Sequence, residues 1–214
     1  AEYLKRYEEA VNWYHSVPGG DELNEARLRA ANAQGLAGRQ SLALDEVHAI
    51  QSDAGVDDDV RRDAYLLEAE LRQRADDLPG EIDALARGLA AYPDENGLLY
   101  ARALAWERRD DIARAEADLR KILVTEPENV PALNALGYTL ADRTGRLQEA
   151  LQLIDRARVA APDNAAIAHR HGSVLYRLCR KVEALVQLRR AEDLSKEPDS
   201  PSPRSPLLVV PWPA

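Results

Sequence analysis

Imidazole side chains are the first feature of the chain to suggest chemistry, because groups of histidines bind transition metals. His169 and His171 lie two residues apart. Side chains at that spacing on a helix point about 200° apart, so the pair cannot share one ion. His15 and His48 have no cysteine or carboxylate at the spacing of metal ligands. We therefore predict no metal site.

The acidic run Asp57, Asp58 and Asp59 suggests a calcium loop, because carboxylate oxygens are the ligands that Ca²⁺ prefers. Such a loop places its oxygens at alternating positions, with a glycine bend between them and a closing glutamate. The run has neither the bend nor the closing residue. We interpret the three aspartates as capping and helix-dipole residues at the start of a helix.

Catalysis requires nucleophilic, acidic and basic groups that converge in one pocket, and the sequence contains no pattern of this kind. Cys179 is the single cysteine and occupies a turn position. Gly137, Gly145 and Gly172 are spread over predicted helices and turns, whereas a phosphate loop needs its glycines in one bend. We predict a chain that is not an enzyme, with no catalytic residue and no cofactor.

The residues 129–162 suggest which elements would position any functional side chain. Gly137 and Ala150 are small residues placed among leucines at helical spacing, and Thr144 and Gly145 form a turn between the two halves. Small side chains at these offsets are typical of two antiparallel helices that cross closely. The stretch is therefore predicted to be a helix pair.

Composition supports helices throughout. Hydrophobic residues make up 45% of the chain, but there is no Phe or Met and aromatic residues make up only 5%. The apolar content is thus mostly Ala and Leu, which are strong helix formers. No apolar run approaches the ~18 residues that a membrane span needs. The chain starts at Ala1 without an initiator Met, so we expect it to be part of a longer protein.

The net charge of −9 is unevenly distributed along the chain. Residues 1–128 contain 16 Lys and Arg against 28 Asp and Glu, whereas residues 129–214 contain 12 against 9. Binding to phosphate backbones depends on clustered cations. The acidic first part therefore argues against nucleic acid as a partner.

A repeat of nearly constant length extends over most of the chain. Pro93 and Pro127 are 34 residues apart, and Pro127 and Pro162 are 35 apart, with the extra residue placed at the turn 143–145. We predict one repeat domain over residues 1–196, followed by a Pro-rich tail, 197–214. The clearest repeats are 62–95, 96–129, 130–164 and 165–196.

These spacings resemble the tetratricopeptide repeat (TPR), in which two helices occupy 34 residues and small residues stand at the eighth and twentieth positions. The resemblance implies an all-α fold, a right-handed superhelix (α-solenoid) of about five to six helix pairs. Segments 98–123, 132–154 and 174–191 also resemble proteobacterial, lipid-anchored TPR adaptors of the periplasm and outer membrane. ALNALGYTLADRTGRL, residues 132–147, is the most particular of these matches.

In a stack of such repeats the first helices line a concave groove, and Tyr and Arg are the side chains that most often anchor partners. The predicted partner-binding residues in this groove are Tyr100, Leu104, Arg108, Asn134, Tyr138, Asp142, Arg170, Tyr176 and Arg177. TPR proteins that hold chaperone C-termini carry a Lys and Asn clamp at positions five and nine. The chain has Asn134 and Tyr138 there, which argues against that class of partner.

The predicted function is a non-enzymatic scaffold or adaptor that binds a protein or peptide. By resemblance, its location is the bacterial periplasm or the outer membrane, and otherwise the cytoplasm. Two alternatives stay open: a structural solenoid that self-associates as a homo-oligomer, and the regulatory arm of an enzyme whose catalytic domain lies outside the chain.

Overall fold

The computed structural model describes residues 6–19 and 22–196. Within these ranges the chain forms eleven α-helices and one π-helical turn, and no strand occurs in them. The helices are α1 (Tyr7–His15), α2 (Glu22–Leu36), α3 (Gln40–Ser52), α4 (Asp58–Arg74), α5 (Leu78–Ala91), α6 (Asn96–Arg108), α7 (Ile112–Thr125), α8 (Val130–Thr139), α9 (Leu147–Ala160), α10 (Ala165–Arg177) and α11 (Lys181–Lys196), and the π-helical turn is Leu140–Thr144. The predicted all-α fold class is confirmed. The predicted tail, 197–214, lies outside the described residues.

The helices belong to two compact units, Ala1–Ala105 and Trp106–Ala214. In the first unit, apolar side chains of α2, α3, α4 and the connection between α3 and α4 form a core. Its buried members are Ala31, Ala43, Val47, Ile50, Val56, Ala64, Leu67 and Leu71. The three alanines let the helix axes approach closely.

In the second unit, neighbouring helices pack as successive pairs, α8 with α9 and α10 with α11. The largest fully buried side chains along this part include Leu119, Ile122, Leu133, Leu136, Leu140, Ile154 and Ile167. These are the apolar residues of one stripe on each helix, so burial follows the 3.6-residue period.

Gly137 and Gly172 sit where the two helices of a pair cross. A Cβ on Gly137 would lie 2.6 Å from Ile154 Cγ1 and 3.1 Å from the Ala150 carbonyl oxygen. A Cβ on Gly172 would lie 2.8 Å from Leu188 Cγ. The prediction that small residues permit a close crossing is therefore confirmed for α8 with α9.

The turn between the helices of each pair contains one residue in the left-handed conformation. Its φ angles are +80° at Gly38, +58° at Asp76, +60° at Asp110, +72° at Gly145 and +61° at Cys179. Each residue follows the C-terminus of a first helix, where this conformation lets backbone N–H groups return to carbonyls of the last turn. The turn position predicted for Cys179 is confirmed.

The interval from each turn to the start of the next pair is constant. Gly38, Asp76, Asp110 and Gly145 are each followed 19 residues later by a residue that precedes a first helix: Asp57, Glu95, Asn129 and Asn164. Asn129 Oδ1 accepts a hydrogen bond from the Ala132 N–H at 2.9 Å, and Asn164 Oδ1 accepts one from Ile167. Side-chain caps thus mark the repeat boundaries at Glu95, Asn129 and Asn164.

The first helices vary more in length than the second helices, from 10 residues in α8 to 17 in α4, against 13 in α3 to 16 in α11. Helix α4 begins at Asp58, and it has 17 residues where α6 has 13. Asp58 and Asp59 lie in its first turn, as predicted for helix-dipole residues. Asp57 precedes the helix, but its side chain makes no capping hydrogen bond, so the predicted capping role is wrong for Asp57. The 35th residue of the repeat from 129 to 164 is absorbed by the π-helical turn, because a π-helix adds one residue per turn.

Candidate functional site

Tyr138 and Arg170 meet across two neighbouring first helices of the second unit. The Arg170 guanidinium carbon lies 4.7 Å from the centroid of the Tyr138 ring. Tyr138 lies at the surface, with 40% of its area exposed to solvent, and Arg170 is half-buried. A guanidinium stacked in this way is a cation–π contact that holds both side chains in one orientation.

Glu107, near the end of α6, is a half-buried carboxylate on whose titration Arg170 acts. No hydrogen bond or ion pair of its carboxylate occurs within the described ranges. Burial raises the pKa of Glu107 above its ordinary 4.5, while Arg143 and Arg170 act in the opposite direction. The carboxylate is therefore held in surroundings that disfavour its charge without a counterion in contact.

The π-helical turn brings further charges to the same face. The Arg143 guanidinium lies 3.4 Å from Asp110 Oδ1 and 3.9 Å from Asp142 Oδ2. Asp142 also acts on the titration of Glu107 and raises its pKa. Arg143 is thus engaged with two aspartates of the protein.

Asn134 lies one turn before Tyr138 on α8. Its side-chain oxygen Oδ1 is buried and accepts no hydrogen bond from the part of the chain that the structure describes. Most buried polar atoms in native proteins have a partner, so an orphaned acceptor at this place marks a site with incomplete hydrogen bonding.

The remaining predicted residues lie in different surroundings. Arg177 Nη1 donates a hydrogen bond to the Ala141 carbonyl at 2.5 Å, so this guanidinium ties α10 to the turn that follows α8. Tyr176 is 61% exposed, and Arg108 is exposed at the end of α6. Tyr100 and Leu104 are half-buried and belong to the first unit. A binding role for each of them stays a prediction.

A polar cluster in the first unit was missed by the sequence analysis. Glu68 is fully buried on α4 and accepts hydrogen bonds from Gln51 and Arg87, both at 2.8 Å, while His48 Nε2 lies 3.0 Å from its Oε1. Burial raises the pKa of Glu68, but the three partners outweigh it and hold this pKa below the ordinary 4.5.

The contact between His48 and Glu68 was not predicted from the sequence. His48 and Glu68 are 20 residues apart on different helices, and no local spacing could reveal the contact.

The same contact recurs in the second unit with the residue types exchanged. His171 Nε2 lies 3.0 Å from Asp155 Oδ1, and burial lowers the pKa of His171 below 6.5. Glu68 and His171 both stand eight residues before a left-handed turn residue, Asp76 or Cys179. Only an alignment of the repeats would indicate this equivalence from sequence.

Since His169 is exposed and His171 is buried, the two imidazoles point apart as predicted.

Other kinds of site were sought in the described ranges. There, no three His, Cys, Asp or Glu side chains come together as a metal site. Among the described helices, none has the length and apolar character needed to cross a membrane.

Comparisons with known proteins agree with the helical-repeat architecture. No protein-family model matches the chain. The solved structure of MamA from Desulfovibrio magneticus RS-1 superposes with a TM-score of 0.67 at 13% identity, covering 85% of this chain and 99% of that one. MamA from MSR-1 gives 0.59 at 20% identity, covering 81% and 97%. The TPR repeat-containing protein PA4667 of Pseudomonas aeruginosa is 38% identical over 202 residues, 93% of this chain.

The chain has the tetratricopeptide-repeat fold. It covers 33% of the length of the Pseudomonas relative. It is also 26% identical over 190 residues to the bacteriophage adsorption protein A of Escherichia coli, of which it covers 17%. TPR homologues are in general non-catalytic scaffolds for protein interactions.

Proposed function

We propose that this TPR chain is a non-enzymatic adaptor that binds an extended peptide segment of a partner protein on the first helices of its second unit. The contact between Arg170 and Tyr138 carries the proposal. It places an aromatic ring and a guanidinium together on the exposed side of α8 and α10.

The energetic reason is pre-organisation. Tyr and Arg are enriched among the residues that contribute most to binding, and a side chain that is already fixed loses less conformational entropy when a partner arrives. Tyr138 and Arg170 fix each other through the cation–π contact. A peptide laid across them would gain apolar contact with the ring at a small ordering cost.

The other predicted residues extend this surface. Asn134 offers an amide one turn from Tyr138, and the exposed ring of Tyr176 gives a second aromatic contact on α10. Arg108 and Asp142 supply charges near the ends of their helices. Tyr100 and Leu104 lie in the first unit, and a binding role for them stays a separate prediction.

A double variant, Tyr138→Ala with Arg170→Ala, tests this function against a matched pair, Gln152→Ala with Val159→Ala. The matched residues are exposed on α9, and Val159 is 75% exposed. Proteins captured from the source cell by the chain are identified by mass spectrometry, purified and titrated against all three proteins. We call the Tyr138→Ala, Arg170→Ala double variant the groove pair. It should weaken binding by about 100-fold, because the loss of two side chains that contribute about 1.4 kcal/mol each to the binding free energy gives that factor.

Thermal unfolding supplies the control, because both variants alter surface residues. The melting temperature should change by less than about 4 °C, the shift that about 1 kcal/mol produces in a chain of this size. Equal affinity of the groove pair and the matched pair would contradict the proposal. A groove pair that unfolds as readily as a core variant such as Leu136→Ala would also contradict it.

We further propose that the whole protein acts in the bacterial envelope, as an adaptor for a protease or an assembly machine. The resemblance of segments 98–123, 132–154 and 174–191 to lipid-anchored TPR adaptors supports this role. Fractionation of source cells that express the full-length protein tests it. Recovery in the cytoplasmic fraction alone would contradict it.

A further inference from the structure

Helix α11 carries a strip of apolar side chains that face solvent. Val182 is 80% exposed, Leu185 50% and Val186 58%. Residues three and four apart on a helix are neighbours on its surface, so the three form one continuous strip. The terminal units of repeat stacks usually present a polar outer face, and these three residues, which we call the α11 strip, depart from that rule.

Leu185 is exposed because no described helix packs against it. It stands six residues after the left-handed turn residue Cys179, and Leu151 of α9 stands six residues after Gly145. Leu151 is buried, and α9 packs against the next first helix, α10. Within the described ranges, no helix follows α11. Leu185 therefore lies on the face where a later part of the chain would pack.

Val182 and Val186 differ from the residues at the same positions of the earlier second helices. These positions lie three and seven residues after the left-handed turn residue. In α3, α5, α7 and α9 they carry Ser41, Pro79, Ala113 and Gln148, and Asp45, Asp83, Ala117 and Gln152. All eight are exposed, although a first helix follows each of their helices. A further repeat would therefore leave the two valines in solvent, and a different kind of segment is needed to cover them.

A cavity borders the strip on the side of α9. It measures about 380 Å³, and Leu175, Val182 and Val186 are the apolar residues that line it. An apolar side chain bound on the strip would also contact the lining of this cavity, so it would gain dispersion contacts on more than one side.

The sequence after α11 contains a second group of apolar residues. Residues 197–214 lie outside the described residues, and their longest run without proline is four residues, whereas a first helix such as α10 has 13. Proline in a helix interior breaks the helix, so another first helix is not encoded there. No charged residue occurs in 205–214. We call the large apolar residues of this stretch the apolar block: Leu207, Leu208, Val209, Val210 and Trp212.

We infer that the apolar block binds the α11 strip of the same chain. Ten residues, 197–206, separate the end of α11 from Leu207. Ten extended residues span up to about 35 Å, whereas Lys196 and Val182 are about 21 Å apart along the helix axis. The block can therefore reach every residue of the strip. The inference goes beyond the proposed function, because it concerns α11 and not the surface of Tyr138 and Arg170.

Covalent attachment favours the block over a second copy or another protein as the occupant of the strip. A group on a linker of about ten residues is held at an effective concentration in the millimolar range. A free partner of the same affinity at micromolar concentration would occupy the strip about a thousandth as often. The burial of apolar surface on both sides provides the driving force.

A serine variant of the whole 214-residue chain tests the contact. It replaces all five residues of the block: Leu207→Ser, Leu208→Ser, Val209→Ser, Val210→Ser and Trp212→Ser. NMR of labelled Val and Leu methyl groups should show the α11 strip shifting relative to the unaltered chain. Val124 and Val159, exposed on α7 and α9, are the controls and should keep their resonances. Unmoved resonances on α11 would overturn the inference.

Melting temperatures then give a double-mutant cycle between the block and the strip. The strip pair, Val182→Gln with Val186→Gln, places on α11 the residue type that α9 has at both positions. It should lower the melting temperature by about 4 °C in the unaltered chain. In the serine variant it should lower it by less than about 1 °C, because the substituted side chains are then at an open surface.

The matched control is Val124→Gln with Val159→Gln, which should have the same effect in both backgrounds. A strip pair that costs as much in the serine variant as in the unaltered chain would contradict the contact between the block and the strip.

Dilution distinguishes the block from a second copy. Over about a 100-fold range of protein concentration, the methyl resonances of the strip and the mass from light scattering should stay constant, because a contact within one chain does not depend on concentration. Resonances that revert on dilution, together with a mass that falls from dimer to monomer, would assign the strip to a second copy and overturn the inference.

Discussion

Single atoms decide how closely α8 and α9 approach each other. Because a Cβ on Gly137 would meet both a side chain, Ile154, and a backbone carbonyl, Ala150, the helices must move apart to admit it. Gly145 is a contrasting glycine, since a Cβ there would meet nothing within 4 Å and the cost arises from its φ of +72°.

Gly137→Ala should lower the free energy of unfolding by about 1–3 kcal/mol, the usual cost of overpacking a core. Urea denaturation followed by circular dichroism measures the change. Gly145→Ala should cost about 1 kcal/mol through its backbone alone. The Gly137→Ala, Ile154→Ala double variant should lose less stability than the sum of the two single losses, because truncation of Ile154 makes room for the new methyl group. Strict additivity would place the clash elsewhere.

The small residues could be predicted from sequence, whereas the buried polar contacts could not. Gly137 and Ala150 stand at fixed offsets within one repeat, so the pattern alone indicates their packing. His48 and Glu68 belong to different repeats, and their contact depends on how α3 and α4 stack. The absence of a counterion at Glu107 depends likewise on side-chain conformations in three helices.

At the scale of elements, the interval from each left-handed turn residue to the next first helix stays constant, whereas the first helices vary in length. The π-helical turn is the clearest case. The repeat that contains it reaches its left-handed turn residue, Gly145, one residue later after the start of the repeat than the neighbouring repeats reach theirs. The sequence located the extra residue near the turn but could not say that it would be helical, since a π-turn has no residue signature of its own.

Deletion of Arg143 should convert Leu140–Thr144 to a regular α-helical turn with little loss of stability, about 1 kcal/mol or less. The α10 repeat makes the equivalent connection with one residue fewer. Deletion of Gln152, an exposed residue in the middle of α9, is the control. It rotates Ile154 and Ala157 out of the core, so it should unfold the unit. Urea titration followed by circular dichroism measures the stability of both deletion variants. Equal destabilisation would contradict the prediction that the π-helical turn can be removed at little cost.

For the molecule as a whole, the balance of titrating groups sets how stability depends on pH. The pKa of His171 is lowered from 6.5, and that of Glu68 from 4.5. As the pH falls, the two groups therefore take up protons in the unfolded chain before they do so in the folded chain. The free energy of unfolding consequently decreases as the pH falls. Glu107 and Asp63, whose pKa values are raised, oppose the trend below about pH 5.

We expect the free energy of unfolding to decrease as the pH is lowered from 7 through the His171 titration below 6.5, and to decrease further below 4.5 as Glu68 is protonated. His171→Gln should flatten the first decrease, and His169→Gln, an exposed neighbour on the same helix, should leave it unchanged. Urea titrations at half-unit pH intervals measure both. If the decrease below pH 6.5 persists in His171→Gln, another titrating group must cause it.

Cys179 is the sole thiol of the chain, exposed at the bend between α10 and α11. A maleimide dye can therefore be attached at one defined position of the unaltered protein. Fluorescence from that dye would follow the arrival of a ligand in real time, without engineering of the molecule beforehand.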